Sequence, residues 1–169
     1  HRRRHSFPTR RSSDLLIWVL VLLILFLHRE RRWIVPAWIA CAAVSCLLYF
    51  AGYHRPPHHP SPLLALEMPE LTVTYIAMYL SGPLRREATT AASIGGWISF
   101  AFVLFALIAA IRFRDDLGKV APWVALGAFA IGNAALTAVG RVGFGIEQAL
   151  MNRYVTIALL LPVATLMLG

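Results

Sequence analysis

Charge is what this sequence has least of. Only 14% of its 169 residues are Asp, Glu, Lys or Arg, where an ordinary soluble domain carries about a quarter. Acidic residues are the scarcer kind, eight against sixteen basic ones. So thin a supply of charge excludes an ordinary soluble domain. Cysteine is nearly absent as well. Cys41 and Cys46 lie five apart in one apolar run, about 140° apart around a helix, so they do not bridge each other easily and read as small packing residues. No metal-ligand set, phosphate loop or nucleophile constellation stands out, so no reaction is named, no cofactor is implied and the question of catalysis stays open.

What the chain does have is apolar length. Hydrophobic residues make up 59%, and a bilayer core about 30 Å thick is crossed by roughly 20 apolar residues in a helix. The expectation is therefore an all-α, polytopic membrane helix bundle with the lipid bilayer as its main partner. Residues 33–53 make the clearest crossing, with Trp33 and Trp38 near one end, Tyr49 and Tyr53 near the other, and Pro36 in the first turn, where a missing N–H costs little. Residues 91–111 and 123–139 are further crossings, the second opened by Pro122 and Trp123. Residues 15–27 and 155–169 are shorter, and the last contains Pro162. About five transmembrane helices result, the first and last truncated, together with one short re-entrant or interfacial helix.

Five of the sixteen basic residues, Arg2, Arg3, Arg4, Arg10 and Arg11, crowd the start of the chain. There the string SFPTRRSSDL resembles the translation of a common short-read sequencing adapter, so residues 1–14 are treated as a non-native tail and excluded from fold reasoning. The exclusion removes an apparent secretory leader and the case for nucleic acid as a partner. A first helix that has lost its beginning, and a chain that stops inside an apolar run at Gly169, imply a single membrane domain over 15–169 that packs with the remaining helices of a longer protein.

The short element is residues 71–84, fourteen residues ending in SGPL. It spans only about 21 Å, and extending it backwards draws in Glu67 and Glu70, each costing about 3 kcal/mol at depth. If it spans, seven basic residues face four across the membrane; if it does not, six face five. Length and carboxylates outweigh that charge bias. The run is read as non-spanning, with 28–32 and 112–119 as cytoplasmic loops and 52–90 and 140–154 sharing the outer face.

The segment GRVGFGIEQALMNRY, 140–154, is the richest in chemistry. Its glycines suit a close turn. From Ile146 onward the pattern suits a short helix with Glu147, Leu150, Met151 and Tyr154 on one face and Gln148 and Asn152 paired at i, i+4. Arg141 and Arg153 can hold phosphate or carboxylate through a bidentate fork, with Glu147 as a base or a neutralising partner; the alternative is an interfacial helix with snorkelling arginines and an internal ion pair. In the preceding run Asn133, Thr137 and Arg141 recur every four residues as a polar stripe, suited to a site, a wet pathway or interhelical hydrogen bonds. Ala130, Ala134 and Ala138 form a small-residue ribbon. Tyr75 and Tyr79 are secondary candidates, able to stack on a sugar ring but also fitting an interfacial belt. His54, His58 and His59, with Glu67 or Glu70, are poorly spaced for zinc among prolines 56, 57 and 60, so no metal site is assigned.

Tyr75 with YLSGPL, a charged loop, and GRVGFGIEQALMNRYVT together resemble a group of uncharacterised bacterial multi-pass membrane proteins, over about two thirds of the chain from His54 onward. More distantly the layout is similar to polyprenyl-phosphate-sugar glycosyltransferases and O-antigen ligase or polymerase proteins, whose acidic catalytic motif is not seen here. The resemblance implies an inner-membrane envelope protein handling a lipid-linked or anionic glycan, or another phosphate-bearing substrate, on outward-facing loops. A transporter or export component and a non-catalytic structural subunit are the competing expectations.

Overall fold

The computed structural model of this chain describes residues 13–27, 33–51, 61, 63–84, 87–114 and 116–169. Those residues form helices and turns only. The helices are α1 (Ser13–Leu27), α2 (Ile34–Phe50), α3 (Leu64–Glu67), α4 (Pro69–Leu80), α5 (Ala88–Arg112), α6 (Ala121–Arg141), α7 (Asn152–Ala158) and α8 (Leu160–Leu168), with 3-10 turns at Gly82–Leu84, Leu117–Lys119, Val142–Phe144 and Ile146–Leu150. The adapter-like string and the histidine loop lie outside the described residues, apart from Ser13, Asp14 and Leu15, which open α1, and Ser61.

Prolines set several boundaries. Pro69 and Pro122 sit at the first or second position of α4 and α6, where the amide proton has no helical partner to lose. Pro162 acts differently: it offers no N–H to the Ala158 carbonyl and its ring crowds that group. The helical ladder breaks there, and α7 and α8 are separated by a turn at Leu159.

Among the described residues two helices are long and apolar enough to cross a membrane, α5 and α6 with its following turn. α5 has 25 residues, about 37 Å, and α6 has 21, about 31 Å. α2, at 17 residues, reaches about 26 Å, and α4, at 12, only about 18 Å. Between α5 and α6 a tight turn is held by Asp116, whose carboxylate lies 2.8 Å from the Lys119 ammonium and pushes that group's pKa up.

On α5 and α6 the core is built largely from small residues, with Phe102 as the large exception, and α4 and α8 add buried Tyr75, Met78, Tyr79, Leu80 and Leu161. Ala91, Gly95 and Ala109 of α5, Ala121, Ala125, Gly127, Ala130, Ala134 and Ala138 of α6, and Ala158 and Ala164 are buried. Small side chains let helix backbones approach and pack without large knobs. The closest approach is α4 on α5, where a Cβ at Gly95 would overlap the Ala77 carbonyl oxygen. Large apolar side chains point the other way: Trp97, Phe100, Val103, Leu107 and Ile111 of α5 are all more than half exposed. Hydroxyls inside the helices are satisfied locally. Those of Thr74, Ser93, Ser99, Thr137 and Thr165 each donate to the carbonyl four residues back, at 2.7–3.1 Å.

α2 stands at the edge against α1, joined by the Trp38 indole N–H donating to the Trp18 carbonyl at 2.9 Å and by ring contact at 4.6 Å. This corrects the packing role expected for the cysteines. Cys41 is exposed and Cys46 half-buried, because so much of α2 has no neighbour among the described residues.

Candidate functional site

α4 places the site. It is too short to cross a bilayer, and the break after it turns the chain back so that α4 lies in the crook between α5 and α6. Its last turns are the most buried stretch among the described residues: Tyr75, Met78 and Tyr79 are 0% exposed. The interfacial belt expected for the two tyrosines is therefore overturned. The i, i+4 spacing that suits a belt also suits a face turned inward, and the packing of α4 against α6 selects the second.

On α6 the polar stripe meets that face. The Tyr79 hydroxyl donates to Asn133 Oδ1 at 3.0 Å, in the interior, and Asn133 is 3% exposed. The Thr137 hydroxyl is occupied by the Asn133 carbonyl, 2.8 Å away. Arg141, half-buried, closes α6 and leads into the glycine turn. Interhelical hydrogen bonding, one of the readings the stripe allowed, is thus realised at Asn133.

The 140–154 segment folds otherwise than as one short helix. Val142–Phe144 and Ile146–Leu150 are 3-10 turns, Met151 is extended, and α7 starts at Asn152. Gly145 has φ of +103°, a conformation open to glycine and costly for other residues. Three residues per turn and the extended Met151 undo the expected face: Gln148 and Asn152 sit in different elements, and Glu147 is exposed while Tyr154 is buried. Among the described residues Glu147 forms no ion pair with Arg141 or Arg153, so the internal pair does not form there.

Tyr154 completes the cluster from α7. Its ring lies 4.8 Å from that of Tyr79, tilted by 33°, and the guanidinium carbon of Arg153 sits 4.8 Å above the same ring, a cation–π contact of about 0.5–1 kcal/mol at an exposed residue. Arg141 and Arg153 are both near enough to act electrostatically on the Tyr75 hydroxyl. The structure so gathers Tyr75, Tyr79, Asn133, Thr137, Arg141, Arg153 and Tyr154 into one region and leaves Glu147 outside.

Four buried polar atoms in this region have no hydrogen-bond partner among the described residues: Tyr75 Oη, Asn133 Nδ2, Gln148 Oε1 and Tyr154 Oη. Each such group costs about 1–3 kcal/mol if left dry. Gln148 is the member that the sequence did not single out for this role. Its amide was visible, but its direction depends on a 3-10 turn that no helical periodicity reveals. Glu67 and Glu70 are exposed, and among the described residues no three His, Cys, Asp or Glu come together to hold a metal. Compared with protein families, with curated proteins and with solved structures, the chain matches none.

Proposed function

We propose that this chain is a multi-pass protein of the bacterial inner membrane that holds a lipid-linked or anionic envelope glycan at an outward-facing site made by α4, the end of α6, the 142–150 turns and α7. One observation carries the reading: a chain so poor in polar groups buries four unpartnered ones together, beside two arginines. Orphaned polar atoms are rare in folded proteins and are met by a bound ligand or by ordered water. The arginines supply the positive field an anionic ligand needs. The membrane setting is supported by the small-inside, large-outside packing and by hydroxyls satisfied within their own helices, as a solvent that offers no hydrogen bonds demands.

An open transport pathway along Asn133 and Thr137 has less support, because α4 covers Asn133 and partners it. No catalytic residue is assigned. The test is to purify the protein in mild detergent and identify the lipid that comes with it by mass spectrometry. The expected result is a glycan-bearing anionic lipid that is lost from the Arg141→Ala, Arg153→Ala double variant at unchanged membrane level. Equal recovery from the variant, or loss of the protein from the membrane, contradicts the proposal.

A further inference from the structure

We infer that Tyr75, Asn133 and Tyr154 form a binding site for a phosphoryl group, covered by the 142–150 turns. The inference rests on the proposed anionic ligand and deepens it by naming the group that is recognised. The argument is one of donors and acceptors. Asn133 Oδ1 is already taken by the Tyr79 hydroxyl, so what Asn133 has left is its NH2 group, a pure donor. The unpartnered hydroxyls of Tyr75 and Tyr154 bring two more groups that can donate, and that can also accept. The unpartnered Gln148 Oε1 only accepts, and the nearby carboxylate of Glu147 is exposed.

An acceptor-only, negatively charged ligand can take a hydrogen bond from all three of these groups at once and matches the arginines. The donors come from three separate elements, α4, α6 and α7, and so approach from different directions. A tetrahedral phosphoryl group, with its oxygens spread in space, meets such a set better than a planar carboxylate.

Entry to the site requires the cover to move. The 142–150 segment packs across α4 and places Ala149 in the core, yet it is held by long backbone bonds: Gln148 N–H to the Gly145 carbonyl at 3.4 Å and Met151 N–H to the Gln148 carbonyl at 3.3 Å. Gly145 and the extended Met151 flank the second turn.

The test uses the 169-residue chain in polyoxyethylene micelles, which contain neither phosphate nor sugar, and calorimetric titration with inorganic phosphate, decyl phosphate and decyl glucoside. The expected result is binding of decyl phosphate, weakened about tenfold by Tyr75→Phe and by Tyr154→Phe, the size of one charge-assisted hydrogen bond. Both variants should keep or raise the ligand-free unfolding temperature, since each removes an orphaned hydroxyl. Equal binding of inorganic phosphate assigns the free ion as the source, and its absence assigns a lipid head group. Phosphate binding undiminished in both Phe variants overturns the inference while leaving the arginine site standing. Response to decyl glucoside alone overturns the phosphoryl assignment and spares the glycan reading, and silence toward all three probes overturns both. The two substitutions act independently, so one misfolded variant leaves the other as the test.

Discussion

Tyr79 and Asn133 show how a few polar atoms organise an apolar interior. Removing the Tyr79 hydroxyl leaves Asn133 Oδ1 without its partner, so Tyr79→Phe should lower stability by about 1–2 kcal/mol, measured as a lower midpoint of unfolding in detergent. Thr137→Val should change the same midpoint by less than Tyr79→Phe does, because the bond that hydroxyl donates lies within its own helix. Asn133 was legible in the sequence as an amide in an apolar run that had to find a partner. Its partner was not, since Tyr75 and Tyr79 fit a membrane-interface belt as well as a buried face, and only the turn-back of α4 decides between them. The ion pair offered for Glu147 with Arg141 or Arg153 does not form among the described residues, for a related reason. One 3-10 turn rotates it outward, and nothing in residue type announces such a turn.

At the scale of elements, the α4–α5 crossing depends on Gly95, and its neighbour supplies an internal control. A methyl at Gly95 meets the Ala77 backbone, whereas one at Gly96 meets open space. Gly95→Ala should therefore destabilise by about 1–3 kcal/mol, as overpacking does, while Gly96→Ala should be neutral or stabilising by up to about 1 kcal/mol; unfolding midpoints of the pair check both. Pro162→Ala restores an N–H for the Ala158 carbonyl. It should join α7 to α8 with a gain in helical circular dichroism and carry Tyr154 away from Tyr79. Helices over 34–50, 91–111 and 123–139 were legible because length and absence of charge suffice to mark a helix, but the first, expected as the clearest crossing, has only 17 residues and is not among the helices long enough to span. Segment 140–154 was not, because glycine-rich 3-10 turns and an extended residue follow no helical period.

At the scale of the whole molecule, the distribution of side-chain size carries the account. Apart from Phe102, which packs against Gly127, mostly alanine and glycine line the interior of α5 and α6, while Trp97, at 71% exposed, and Ile111, at 66%, face outward. In water this arrangement would leave a large apolar surface unburied; in lipid it costs little, and close backbone approach supplies the packing. The low charge content pointed to lipid from composition alone, and the proposed multi-pass topology adds how these helices meet it. Nitroxide spin labels read the outer face directly. With Cys41 and Cys46 replaced by alanine and a single label at Val103→Cys on α5, the chain in bilayers should show relaxation enhanced by oxygen, which concentrates in hydrocarbon, and little response to a water-soluble nickel chelate. A label relaxed by nickel as strongly as one on a water-exposed loop would place α5 in water and contradict the account.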